Sequence, residues 1–365
     1  MKKQHFFYAI FFYVISVFYL ATTTPISPHE ANIFFTSSDL VSTLMHWGKS
    51  LIGNAFGDFL GLRIFFMLFG FISLILFYKL SRQYFLRDGD AYLSTMIFML
   101  LPGILTGLTL ANIAIVVLCI VLLFVLLYEK GQYMLLPFLM LALFFIHEAS
   151  IIFFVALLLY GIIHKDKKLA IGSLAFLTAF IYLAKGIEIG GRPSGHFVEI
   201  FGLYATVFSP LLFLYFFYAM YRILLREKKT LLWYISFTAL AFSLLLSLRQ
   251  RVYITDFAPY VMISVVLMLD MLNHSVRVRL PEFQKYYKRG YYLVISFLIL
   301  SASLIIFHKS LYQLSSDRSK HFANRIYKPY YLAKKLKSEG KACYDGAVGR
   351  EAYQLQYYNI LSCSD

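Results

Sequence analysis

Long apolar runs follow one another along almost the whole chain. After Met1-Lys2-Lys3 an apolar stretch reaches about Leu20, and further runs occupy roughly 62–80, 91–109, 112–128, 133–146, 149–163, 169–184, 201–221, 230–247, 258–273 and 291–308. A helix takes about 20 apolar residues to cross the hydrocarbon core, so the pattern predicts an all-α polytopic membrane protein of about eleven transmembrane helices. Ala21-Thr22-Thr23-Thr24-Pro25 lacks the small-residue pattern of a signal-peptide cleavage site, so the first run reads as an uncleaved span. Residues 1–308 then form one transmembrane domain, and 309–365 a small exported tail.

Composition agrees. Of 365 residues 60% are hydrophobic and 15% charged, with mean hydropathy +0.70. Soluble domains are nearer 45–50% apolar and about 25% charged. The net charge of +15 would suggest nucleic acid in a soluble protein, but basic residues on cytoplasmic loops account for it here, and no nucleic-acid partner is expected.

Charge also sets the topology. Residues 133–163 are apolar except for His147-Glu148 and read either as one tilted helix or as a tight hairpin of two short ones. The hairpin places Lys165, Lys167, Lys168, Arg222, Arg226, Lys228, Lys229, Arg277, Arg279, Lys285, Lys288 and Arg289 on the cytoplasmic side. A single helix would put them all outside, against the positive-inside rule, so the hairpin is expected, with the N-terminus cytoplasmic and the tail outside.

Two outer segments exceed what a connection needs. In the first outer loop, 23–61, Phe34, Phe35, Leu40, Val41, Leu44 and Trp47 recur at near-helical spacing beside Asp39, His46 and Lys49, which predicts amphipathic helices in the interface plane. In the tail, the alternation of Tyr353-Gln354-Leu355-Gln356-Tyr357 predicts a strand. Cys343 and Cys363 would pair in an oxidising compartment, and Lys334, Lys335, Lys337 and Lys341 form a basic patch suited to anionic headgroups.

Polar groups in a membrane protein mark function, and here they gather on one side. They are His29-Glu30, Asp39, His46 and Asp58 in the first outer loop, His147-Glu148, then Lys185, Glu188, Arg192, His196 and Glu199, then Arg249, Arg251, Tyr253 and Asp256. Span interiors hold almost no ionisable residues, which disfavours an ion-coupled transporter. Each group also has a plain structural reading. Pro28-His29-Glu30 would cap a helix, His147-Glu148 would make a turn polar, and the arginines would anchor spans at the interface. Together they offer arginine forks for phosphate and carboxylates able to accept a proton. Gly190-Gly191-Arg192-Pro193-Ser194-Gly195 is glycine-rich but lacks the Gly-Lys-Ser/Thr ending of a phosphate loop.

In this order and sidedness the motifs resemble the GT-C superfamily of polyprenyl-phosphate-sugar-dependent glycosyltransferases, and within it the protein mannosyltransferase and aminoarabinose transferase group. In that group an acidic doublet, commonly Asp-Glu-Ala, opens the first outer loop; here the stretch is Pro28-His29-Glu30-Ala31-Asn32. Arg63 stands where the group enters its second span, and Tyr78-Lys79-Leu80-Ser81-Arg82 closes that span. Arg249-Gln250-Arg251-Val252-Tyr253, followed by Phe257-Ala258-Pro259-Tyr260, is similar to its late outer loop. The group's first acidic residue falls on His29. Either Glu30 is the base, or His29 is, or the base lies elsewhere, with Asp39 and Glu148 next in line.

The resemblance implies transfer of a sugar, with inversion, from a polyprenyl-phosphate donor to a lipid, glycan or protein acceptor at the periplasmic face of a bacterial inner membrane. Glu30, His29 and Asp39 would be the catalytic candidates, and Arg249, Arg251 and Tyr253 would bind the donor phosphate. His147, Glu148, Arg63, Lys185 and Arg192 would line the cavity or meet the acceptor. A divalent metal would find ligands if His29, Glu30, His147 and Glu148 converged, although adjacent His-Glu pairs are not a specific metal spacing. An O-antigen ligase or polysaccharide polymerase is the second enzyme reading, and a transporter or flippase the non-enzyme one.

Overall fold

A computed structural model describes residues 3–183 and 195–363. Among these residues the chain is helical throughout, apart from a single parallel bridge between Cys343 and Leu361. The α-helices are α1 (Lys3–Thr23), α2 (Pro28–Thr36), α3 (Leu40–Gly48), α4 (Asn54–Phe56), α5 (Asp58–Tyr84), α6 (Asp88–Leu100), α7 (Pro102–Thr109), α8 (Ile113–Glu129), α9 (Leu136–Ile146), α10 (Ile151–Ile163), α11 (Lys167–Tyr182), α12 (Phe197–Phe208), α13 (Pro210–Arg226), α14 (Leu231–Ser247), α15 (Ile254–Met262), α16 (Val265–Arg277), α17 (Pro281–Ile306), α18 (His308–Leu314), α19 (Asn324–Ser338) and α20 (Arg350–Tyr357).

Every expected span falls on a helix or a helix pair. Among the described residues, α1, α5 and α17 alone are long and apolar enough to cross a membrane, and three bent pairs raise the number to six. Shorter apolar helices account for the others, so the segments are those expected while a count of eleven full spans is not established. The bend of 107° between α12 and α13 has a local cause. Pro210 has no amide hydrogen to continue the helix and its ring crowds the residue before it, and Ser209 leaves the helical region at φ 84 and ψ 137.

The chain folds as two compact units. One comprises Met1–Ala9, Phe69–Leu105 and Ile113–Ala302, and the other Ile10–Leu68, Thr106–Asn112 and Ser303–Asp365.

In the first unit, α10 packs against α11 and α14, and α8 packs against α9 and α15. Gly161 permits the close approach of α10 to α11, because a Cβ there would stand 2.8 Å from the Ala170 nitrogen. The apolar run breaks at His147, where the hairpin is expected, into α9 and α10 joined by a short 3-10 turn at Glu148–Ser150. Phe144 of α9 and Phe154 of α10 both pack on Phe176 and Phe180 of α11, so the two arms share a third helix.

In the second unit the loop 23–61 carries helices α2 and α3, as its periodicity predicted, and α2 lies against α20. The tail is thus built into the same unit as the first loop. The expected strand at 353–357 is helical, because Gln354 is recruited inward: its Nε2 donates to the Ile26 carbonyl at 2.8 Å. Packing of Leu355 with Ala333, Leu336 and Ile360 completes a small core. Cys343 and Cys363 are disulfide-bonded.

Candidate active site

The second unit is organised around one buried ion pair. Ser27 caps α2 reciprocally: its Oγ accepts from the Glu30 amide at 3.2 Å, and Glu30 Oε2 accepts from the Ser27 amide at 2.9 Å. This fixes the Glu30 carboxylate toward Arg63, in the first part of α5. Arg63 Nε donates to Glu30 Oε1 at 2.9 Å and Nη2 donates to Oε2 at 2.8 Å. Nη1 reaches the carbonyls of Ala21 at 3.0 Å and Thr24 at 2.7 Å, and Nη2 that of Pro25 at 3.0 Å. All five guanidinium hydrogens are used, and the Ala111 amide adds a fourth bond to the carboxylate at 2.8 Å.

Both side chains are sealed from solvent. Burial pushes the Glu30 carboxyl up, but the Arg63 charge and hydrogen bonds, with the Ala111 and Ser27 amides, outweigh it and hold the group below the usual carboxylate range. A carboxylate with four hydrogen bonds and a depressed pKa is a poor proton acceptor. Its chemistry here is to fix the chain between Ala21 and Ala31.

His29, one position earlier on α2, is exposed where Glu30 is buried. Among the described residues its ring makes no hydrogen bond. Desolvation, then the Arg350 charge at the start of α20, lower its pKa below the ordinary 6.5 against an opposing pull from Glu30, so the imidazole is neutral at neutral pH. Nearby in the fold, Lys49 Nζ sits 4.5 Å from the ring centre of Tyr357, whose hydroxyl is buried without a partner. Asp39 is exposed at the start of α3 and caps it with no side-chain hydrogen bond.

The first unit holds the other candidates. His147 sits in extended conformation between α9 and α10, φ −149 and ψ 122. Its Nε2 is buried without a hydrogen bond, 3.8 Å from Asp256 Oδ1, and burial pushes its pKa down to about 4. Tyr260, fully buried on α15, donates to Ser150 Oγ at 3.2 Å, and Glu148 is exposed beside this group. Arg249, Arg251 and Tyr253 lie on the exposed connection between α14 and α15. Arg251 Nη2 pairs with Glu199 Oε1 at 2.7 Å, and His196 Nδ1 meets Glu199 Oε2 at 2.9 Å. Lys185 and Arg192 lie outside the described residues.

The structure therefore joins Glu30 with Arg63, His147 with Asp256, and Arg251 with Glu199. Arg350 beside His29 and Gln354 beside Ile26 had no local signal in the sequence, since both come from the tail some 320 residues away. Among the described residues no three His, Cys, Asp or Glu groups are arranged to hold a metal ion.

The fold is similar to two crystal structures of ArnT from Cupriavidus metallidurans. In the apo state the TM-score is 0.53 at 13% identity, covering 95% of this chain and 83% of ArnT. With undecaprenyl phosphate bound it is 0.55 at 10% identity, covering 100% and 87%. No protein-family model matches the sequence, and no curated protein matches it either. Identity this low conveys fold and not residue roles. The chain is an integral membrane protein with an ArnT-like fold.

Proposed function

We propose that the chain is a glycosyltransferase that moves a sugar, with inversion, from a polyprenyl-phosphate donor to an acceptor at the periplasmic face of a bacterial inner membrane. The observation that carries this reading is the ArnT-like fold over the whole chain, shared with an ArnT structure holding undecaprenyl phosphate. The stretch Pro28-His29-Glu30, at the position where the aminoarabinose transferase group has its acidic doublet, adds to it.

His29 is assigned as the base. It is exposed, neutral and next to a carboxylate whose lone pairs are all engaged. Its free ring nitrogen takes the proton of the acceptor hydroxyl or amine while that atom bonds to the anomeric carbon. The bond from that carbon to the phosphate oxygen breaks, and the electron pair leaves on the lipid phosphate. Arg249 and Arg251 are assigned to the donor phosphate, whose negative charge their guanidinium groups suit, with Tyr253 as a hydroxyl donor. Glu30 and Arg63 are positioning residues that hold the turn from which His29 projects. His147 and Glu148 are assigned to the acceptor. The outer-face charge distribution supports the N-terminus in the cytoplasm and the tail in the periplasm.

Proteoliposomes of the full chain, given labelled undecaprenyl-phosphate sugars and an envelope extract as acceptor source, are expected to transfer label. Transfer should fall by about 10²–10⁴-fold in folded His29→Asn protein. Transfer undiminished in that variant overturns the base assignment, and label transferred from no donor overturns the transferase reading.

A further inference from the structure

The first unit contains a second polar site, remote in sequence from every residue assigned above. Where α6 begins, α16 ends and α17 starts, a cavity of about 420 Å³ is lined by Arg87, Asp90, Asn273, Arg277, Lys288 and Tyr291, among others. Arg277 is engaged by Asp90, Nη2 to Oδ2 at 3.2 Å. Arg87 and Lys288 form no ion pair among the described residues, so the cavity keeps surplus positive charge. Two uncharged donors face the same space: Asn273 Nδ2 and the Tyr291 hydroxyl are buried without a hydrogen-bond partner. Buried polar groups are nearly always paired, and two orphans in one basic cavity call for a ligand that accepts hydrogen bonds.

The cavity does not end in polar surroundings. Leu272, Tyr287 and Tyr291 also line an adjoining apolar space of about 490 Å³, whose other walls include Leu212 of α13, Met268 of α16 and Val294 of α17. Gly290 opens it further, since a Cβ there would touch nothing within 4 Å. Only 11% of the apolar window of α17 is buried, so this helix leaves room along its length. A basic, donor-rich compartment joined to an apolar channel on a membrane helix matches a molecule with an anionic head and a hydrocarbon tail. Charge complementarity at one end and an apolar wall at the other name the occupant together, where either alone would not.

We infer that this site binds a membrane lipid with a net anionic phosphate head group. The phosphate sits between Arg87 and Lys288 and accepts from Asn273 Nδ2 and the Tyr291 hydroxyl, and the tail lies along Leu212, Met268 and Val294 past Gly290. The charge pattern places Arg277 and Lys288 on the cytoplasmic side, where anionic leaflet lipids would supply it. This inference does not rest on the transferase reading.

Native mass spectrometry of the purified full chain with dioleoyl-phosphatidylglycerol and dioleoyl-phosphatidylcholine tests it, because the tails are identical and only the head groups differ. Phosphatidylglycerol should be retained at least tenfold more tightly. Arg87→Gln with Lys288→Gln should abolish the preference, a loss on the order of tenfold to thirtyfold for two near-surface charges. Asn273→Leu with Tyr291→Phe changes no charge and should lower phosphatidylglycerol retention several-fold. Gly290→Leu should weaken both lipids by filling the channel. Equal retention of the two lipids overturns the inference, as does full displacement by millimolar inorganic phosphate. A preference that responds to the charge variants but not to Asn273→Leu with Tyr291→Phe also overturns it, since that is a diffuse basic surface and not a site. Should Gly290→Leu fail to fold, the charge pair and the Asn273→Leu with Tyr291→Phe pair carry the test between them.

Discussion

Glu30 and Arg63 satisfy each other almost completely, 33 residues apart in the chain and both sealed from water. Their two direct bonds leave the guanidinium three hydrogens, which go to the carbonyls of Ala21, Thr24 and Pro25. The chain leaving α1 is therefore held at its turn by a side chain from α5, and the start of α2 inherits its direction.

Breaking this pair from one side leaves a buried uncompensated charge. Glu30→Gln or Arg63→Leu should each destabilise the second unit by about 3–5 kcal/mol. The double variant Glu30→Gln with Arg63→Leu should cost less than the sum. Thermal unfolding in detergent measures both, and additive losses would show that the two groups do not act as a pair.

The same carboxylate sets an acid limit. Its folded pKa lies below the ordinary 4.5, so its stabilisation is fully present above about pH 4.5 and is lost as pH falls toward the folded value. Unfolding temperature should drop steeply below that pH in the native chain and less steeply in Glu30→Gln. Parallel slopes would contradict the assignment.

His29 is expected to dominate the pH profile of catalysis. Because its pKa is lowered, the neutral base persists to lower pH than an ordinary histidine allows, and the acid limb of kcat/KM should turn below 6.5. His29→Asp, which restores the residue common in the aminoarabinose transferase group, should keep measurable activity and move that limb down again, toward the carboxylate range. An unshifted limb in His29→Asp would assign the titration to another group.

Arg251 distinguishes binding from stability. Its pair with Glu199 is exposed and screened, so Arg251→Ala should leave the unfolding temperature nearly unchanged. In a transfer assay the same substitution should raise the KM for donor more than it lowers kcat. A change in stability with no effect on donor KM would make Arg251 a structural residue.

The tail bridge between Cys343 and Cys363 encloses 19 residues, and loop closure of that size is worth about 3 kcal/mol. Cys343→Ser should destabilise the tail by about that amount, read as earlier proteolysis of the tail. Equal resistance with and without reductant would show the bridge to be dispensable.

Much of this was legible in the sequence. Hydropathy alone marks α1, α5 and α17, since an apolar run close to the length needed to cross the hydrocarbon core has few alternatives. The capping box at Ser27–Glu30 is local and follows from a Ser, a Pro and a Glu in fixed spacing. What sequence reasoning missed is non-local. Arg63 reads as the arginine that opens the second span and lines the cavity, because nothing nearby suggests its partner on α2. The strand expected at 353–357 rests on the alternation of Gln with Tyr and Leu, but the segment is helical, and Gln354 finds its partner in the Ile26 carbonyl 328 residues away. The break at His147 is legible locally, but the phenylalanines of α11 on which both of its arms pack lie about 30 residues further on.

The most direct measurement is a cryo-electron microscopy map of the full chain with undecaprenyl phosphate. The expected result is a phosphate within hydrogen-bond distance of the Arg249 or Arg251 guanidinium, with lipid density leading from it. A phosphate bound only between Arg87 and Lys288, or nowhere in the map, would contradict the donor site on which the transferase reading depends.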